Sequence, residues 1–184
     1  MKLAHRSKLL LSAVLTTVLA AAWSEPLSAH SMHQSAVLLD FRDNTVETEL
    51  QLPIDRLTIP FGRAVDASRF ASERADLQSY VLAHVHPIMP DGRPLSVQFV
   101  SMKIDTVEQA PYVVVHLVFT APGNAKITQF TLNYDVIAHE IVTHVVLVYI
   151  RSDSGARIAP NDPLLIGVIR GEHKSVSVDR MRLL

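Results

Sequence analysis

The feature that most constrains the fold of this chain is a succession of short, β-branched-rich segments separated by turn residues. Every second residue from Val46 to Leu52 is apolar or small, which indicates a strand with one buried and one solvent-exposed face. Many short strands favour an antiparallel, immunoglobulin-like β-sandwich over an α/β fold, which needs a long crossover between parallel strands. The predicted strands cover residues 36–41, 45–52, 95–104, 112–120, 127–137, 141–150, 164–170 and 175–178.

One amphipathic helix is predicted, over residues 72–85. The apolar and aromatic residues between Leu77 and His84 recur at helical spacing, and Ser72 is a candidate N-cap. Pro87 marks the expected end of this helix, because proline cannot continue an α-helix. Residues 54–59 predict only a helical turn or a loop.

The first 29 residues have the layout of a secretory signal peptide. A short basic segment precedes an apolar run of 14 residues, Leu9 to Ala22, and a polar stretch ends at Ala29. A membrane-spanning helix takes about 20 residues, so cleavage is favoured over a permanent anchor. We therefore expect a signal peptide over residues 1–29, one β-sandwich domain over residues 30–184, and export to the periplasm or the outer face of the cytoplasmic membrane.

Composition excludes several classes of function. The chain contains no cysteine, so thiolate nucleophiles, zinc–thiolate sites and redox pairs are ruled out. Without the predicted leader, 14 basic and 17 acidic residues give a formal net charge of −3, which does not favour nucleic acid as a partner. The sequence has neither a G-x-S-x-G elbow nor a phosphate-binding glycine loop. Asp55, Asp135 and Glu140 are single carboxylates of the kind that is more often structural than catalytic. We expect no catalytic residue and no small-molecule substrate.

Histidine is the remaining residue type with strong metal-binding chemistry, and eight of the nine histidines follow the predicted leader. Cleavage after Ala29 makes His30 the first residue, so that its α-amine and imidazole can chelate Cu(II) or Ni(II), with His33 three residues later. The alternative is an ordinary frayed terminus in which neither histidine has a partner.

Two further pairs of histidines are candidate ligands. His84 and His86 can share a metal only if the backbone is extended there, because a helix would place their rings about 200° apart. His139 and His144 are five residues apart rather than four, which argues against the H-E-x-x-H metalloprotease motif. A bulge or turn near Glu140 could still bring one of them towards the N-terminal histidines. The alternative for each pair is a structural role in packing or hydrogen bonding.

Several short motifs occur together between residues 29 and 170. They are AHSM at 29–32, SAVLLD at 35–40, ELQLP at 49–53, LAHVHP at 82–87 with DG at 91–92, and LNYDVIAH at 132–139 with VTH at 142–144. Together they resemble the extracytoplasmic N-terminal region of HupE/UreJ-like membrane proteins, named for hydrogenase and urease accessory proteins. The resemblance implies a soluble domain that accompanies a nickel- or cobalt-handling permease. Such proteins usually continue into a polytopic membrane domain, so we expect a truncated or detached member that does not transport by itself.

Two functions fit these observations. The first is a non-catalytic periplasmic domain that binds a divalent transition metal (Ni, Co, Cu or Zn) and presents it to a membrane permease or membrane domain. The second is a metal-free docking or structural module that contacts such a partner through an exposed sheet edge or face. The candidate metal ligands are His30 and His33 first, His139 or His144 next, and the pair His84 and His86.

Overall fold

The structure is a computed structural model that describes residues 33–154 and 162–180. The predicted leader and His30 therefore lie outside the described residues. Neither of the two described helices has the length and apolarity that a membrane span requires. The elements are β1 Ser35–Phe41, β2 Thr45–Pro53, α1 Ile54–Phe61, α2 Phe70–Leu82, β3 Val85–Ile88, β4 Ser96–Val107, β5 Ala110–Thr120, β6 Gln129–Tyr134, β7 Val146–Asp153, β8 Leu164–Ile169 and β9 Ser175–Asp179.

The strands form two sheets, which confirms the prediction of a mainly β fold. The larger sheet has the strand order β4-β5-β2-β1-β7-β8 and the smaller one the order β3-β6-β9. Neighbouring strands are antiparallel except for β1 and β7, which run parallel. The two sheets share one apolar core, in which the ring of Phe130 lies 6.3 Å from Phe41 and 6.1 Å from Phe119. This arrangement is consistent with a β-sandwich, whereas the immunoglobulin-like layout stays a prediction.

The β1–β2 hairpin forms where the residue pattern predicts it. The N–H of Arg42 donates to the carbonyl of Thr45 at 2.9 Å and closes the turn. Every second residue from Val46 to Leu52 is buried, while Glu47 on the other face is exposed. The alternation of apolar and polar residues therefore set the orientation of this strand.

The prediction of a single helix is wrong, because Ile54–Phe61 forms the helix α1. Leu57 is its fully buried residue and attaches it to the core. The helix ends at Phe61 and is capped by Gly62, whose φ of 74° lies in the left-handed region that glycine adopts without steric cost.

Helix α2 begins at Phe70 rather than at Ser72, so Ser72 is not its N-cap. The reason lies in the preceding turn, where Asp66 Oδ1 accepts hydrogen bonds from the backbone N–H groups of Ser68 and Arg69, at 2.9 and 3.0 Å. A carboxylate that accepts backbone N–H groups in this way starts a helical turn.

Helix α2 also ends earlier than predicted, at Leu82, because the residues around Pro87 form β3. β3 is an edge strand of the smaller sheet, the position in which a sheet tolerates proline. Val85 pairs with Tyr134 of β6 in the antiparallel sense. The residue just before β3 therefore lies beside the residue just after β6.

The strands that flank the second histidine-rich segment are shorter than predicted. β6 ends at Tyr134 rather than Ile137, and β7 begins at Val146 rather than Ile141. The segment between them is a series of turns whose first three apolar residues, after Asp135, are fully buried. Their apolar character therefore reflects burial within turns instead of strand pairing.

Candidate metal site

Three side chains with metal-binding chemistry meet at one corner of the smaller sheet: His84, Asp135 and His139. One candidate ligand atom from each lies within 4.8 Å of the others, and all three side chains are half-buried. In the part of the chain that the structure describes, this is the one group of three or more such residues that approach so closely. We call it the His–Asp–His cluster.

The backbone explains why these residues meet. His84 immediately precedes β3 and Asp135 immediately follows β6, so the pairing of the two strands places them side by side. The N–H of Asp135 donates to the carbonyl of His84 at 3.2 Å. The chain then makes one helical turn, in which the N–H of His139 donates to the carbonyl of Asp135 at 3.1 Å. That turn brings the third side chain back over the first two.

Hydrogen bonds fix the orientation of both imidazoles. His139 Nδ1 lies 2.8 Å from the carbonyl oxygen of Asp135, and because a carbonyl only accepts, this nitrogen carries the hydrogen. His84 Nδ1 lies 2.8 Å from Asp135 Oδ1, an ion-pair contact with the carboxylate. In each ring Nε2 is then the nitrogen left to accept a metal ion.

The Asp135 carboxyl is held in its charged form. Burial alone would raise its pKa, but the hydrogen bond and charge of His84, together with those of Lys174, outweigh that effect and lower the pKa below its usual value. Lys174 Nζ lies 3.4 Å from Asp135 Oδ2, so each carboxylate oxygen has a nitrogen partner. A charged carboxylate is the form that binds a metal.

Aromatic packing holds the two imidazoles against each other. The rings of His84 and His139 stack with centroids 4.2 Å apart and planes 17° from parallel. Tyr80 of α2 covers them, with its ring 4.8 Å from His84 and 6.0 Å from His139. The hydroxyl of Tyr80 donates to the carbonyl of Val136, and burial raises its pKa, so it stays a neutral donor. Helix α2 therefore contacts the cluster through Tyr80.

The spacing of the cluster is wider than that of a loaded metal site. Zinc binds imidazole nitrogen at about 2.0 to 2.1 Å, which in tetrahedral geometry places ligand atoms about 3.3 Å apart. One ligand atom from each residue of the cluster lies within 4.8 Å of the others, so metal binding requires the ligand atoms to move closer together. The two imidazoles must also tilt out of their stack, because the lone pair of each nitrogen lies in its ring plane and planes 17° from parallel do not converge on one ion.

His86 does not join His84 in this site. Its side chain is exposed on β3, and its Nε2 lies 2.9 Å from the carbonyl of Ala83. The backbone at His86 is extended, as a shared site would require. The two side chains nevertheless have different partners, because His84 contacts Asp135 and His86 contacts the carbonyl of Ala83.

His33 and His144 have other neighbours. His33 Nδ1 lies 3.5 Å from Asp55 Oδ2. His144 is buried, and its Nε2 contacts the Ser35 hydroxyl at 2.8 Å. Burial, helped by the positive charge of Arg56 and opposed by Asp55, lowers the pKa of His144 to about 4. A buried imidazole that contacts a hydroxyl has a structural role. This is the alternative to metal binding that the sequence left open for His144.

Of the six predicted ligands, the structure brings together two, His84 and His139. Asp135, considered only as a single carboxylate, is the third member. The one local sign of its role is the spacing of four residues to His139, which suits a helical turn. The contact with His84 spans 51 residues and depends on the register of β3 with β6.

Comparisons with known proteins do not identify a family for this chain. No protein-family model matches the sequence, and no curated protein matches it. The resemblance to HupE/UreJ-like proteins therefore stays a prediction that rests on the short motifs alone.

Proposed function

We propose that this chain is an exported, non-catalytic domain that binds a divalent transition metal through His84, Asp135 and His139 and serves a membrane partner. The observation that carries the proposal is the convergence of two oriented imidazoles and one charged carboxylate. Imidazole nitrogen favours Zn, Cu, Ni and Co over Mg and Ca. The HupE/UreJ-like motifs favour nickel or cobalt within that group, and the predicted signal peptide favours a site outside the cytoplasm.

The arrangement suggests how the metal would be held. The Nε2 atoms of His84 and His139 would be the nitrogen ligands, since Nδ1 of each ring already has a partner. Asp135 would supply a carboxylate oxygen only after it leaves Nδ1 of His84, because a metal at Nε2 lies at the opposite edge of that ring. Three protein ligands leave a coordination position open. An open position suits a domain that passes its metal to a partner, because a ligand from the partner can bind the metal before the domain's own ligands dissociate.

The test is calorimetric titration of the mature protein with Zn(II), Ni(II), Co(II) and Cu(II). We expect binding of at least one ion at micromolar concentrations. Each of the variants His84→Gln, Asp135→Asn and His139→Gln should weaken it by about tenfold or more. His173→Gln is the matched control, because His173 is an exposed histidine in the turn before β9.

A further variant separates this site from a chelate at the N-terminus. His33→Gln should leave binding unchanged if the cluster holds the metal. Loss of binding in His33→Gln, with normal binding in His139→Gln, would move the site to the N-terminus and contradict the proposal. Absence of binding by the unmodified protein would favour the metal-free docking module.

A further inference from the structure

We propose that Lys174 opposes metal binding and sets the affinity of the His–Asp–His cluster, an inference that rests on the proposed function. Its ammonium lies 3.4 Å from Asp135 Oδ2, while Oδ1 contacts His84 at 2.8 Å. Both oxygens of the one carboxylate in the site are therefore engaged. A metal that binds Asp135 through Oδ2 must first displace Lys174.

The backbone places Lys174 at this position. The N–H of Tyr134 donates to the carbonyl of Lys174 at 2.9 Å, and Asn133 pairs with Ser175 in the β6–β9 ladder. The backbone of Lys174 is thus fixed beside Tyr134, one residue before β9. The register of the sheet therefore keeps the backbone of this lysine next to Asp135, within reach of its carboxylate.

The Lys174 side chain also has an alternative position. It lines a cleft of about 320 Å³ beside Asp135, together with His86, Asn133 and Glu172. The Lys174 side chain is 44% exposed, so moving it into this cleft leaves the ammonium in water and near the carboxylate of Glu172. The site can therefore exchange its own cation for a metal ion without burying a charge.

The size of the effect is limited by solvent. A divalent ion and an ammonium a few ångströms apart repel, but water and salt screen a half-exposed pair. We expect removal of the Lys174 charge to tighten metal binding on the order of fivefold. Lys174→Gln retains a polar side chain of similar reach without the charge, and Lys174→Arg retains the charge.

The experiment measures the affinity for Zn(II) by competition with a chromophoric chelator, using the mature protein and three variants. Lys174→Gln should bind about fivefold more tightly, and the difference should shrink as salt is raised. Lys174→Arg should bind like the unmodified protein. So should the control Lys126→Gln, at an exposed lysine between β5 and β6. Equal thermal midpoints of the metal-free proteins show that each variant is folded.

The outcomes separate this inference from the function beneath it. If Lys174→Gln leaves zinc affinity unchanged or weakens it, the proposed role of Lys174 is overturned. The proposed metal site would not be affected by that result. Zinc binding that His139→Gln does not affect would overturn the proposed site. Failure of the unmodified protein to bind zinc would overturn both.

Discussion

Replacing His144 with glutamine should remove part of the acid sensitivity of the folded protein. His144 is 5% exposed, and its Nε2 contacts the Ser35 hydroxyl at 2.8 Å. Glutamine can place a polar nitrogen near that hydroxyl but does not titrate. The unfolded chain exposes the imidazole to water, so the unfolded state binds a proton at a higher pH than the folded state does. The stability that neutral His144 contributes should therefore be fully present above pH 6.5, and it should be lost as the pH is lowered towards 4.

The magnitude follows from the two pKa values. Burial lowers the pKa of His144 from 6.5 to about 4. At about 1.4 kcal/mol per unit of pKa, the full effect is about 3 kcal/mol. Linkage between these two values gives a loss of about 1.4 kcal/mol by pH 5.5 and about 2.5 kcal/mol by pH 4.5. For a domain of this size that is a large part of the total stability.

The assay is urea unfolding at several pH values between 7.5 and 4.5, with EDTA present to remove metal. Carboxylates with lowered pKa values, such as Asp40, Glu49 and Asp135, also lose stability in acid, but that loss is common to both proteins. The free energy of unfolding should therefore fall by about 2.5 kcal/mol more in the unmodified protein than in His144→Gln. The exposed control, His173→Gln, should behave like the unmodified protein. Equal losses in all three proteins would refute the buried, neutral state of His144.

Two further predictions concern export and core packing. If the leader is cut after Ala29, the protein recovered from an exporting host begins at His30, which N-terminal sequencing measures; recovery of a chain that retains Met1 would contradict this. A Cβ at Gly167 would lie 2.5 Å from Val176 Cγ1, a short branched side chain in β9. Gly167→Ala should therefore cost about 1 to 3 kcal/mol of unfolding free energy in urea, while the control Ser177→Ala on the exposed face changes it by about 0.5 kcal/mol or less. A loss for Gly167→Ala no larger than that of the control would contradict the close packing.

The sequence predicted strands well where the two faces of a strand differ in polarity. In β2 the alternation from Val46 to Leu52 matches the observed burial, because one face meets the core and the other meets water. Runs of β-branched and apolar residues without that alternation led to strands predicted too far into the segment between β6 and β7, where the apolar residues that follow Asp135 are buried inside turns. Apolar composition reports burial, and without alternation it does not distinguish a strand from a buried turn.

The site was predictable only in part for a related reason. Histidine content identified His84 and His139 as candidates, because imidazole is the main metal-binding group in a chain without cysteine. Their meeting point depends on the pairing of Val85 with Tyr134, a contact between distant segments that no local pattern specifies. Asp135 acquires its role from the same pairing.

The most direct test of the metal site is anomalous diffraction from crystals of the mature protein grown with Zn(II). We predict an anomalous peak that marks a zinc ion about 2.0 to 2.2 Å from each of three ligand atoms. These are Nε2 of His84, Nε2 of His139 and a carboxylate oxygen of Asp135. A peak at His33 and the N-terminus, with the rings of His84 and His139 still stacked and free of metal, would contradict the account.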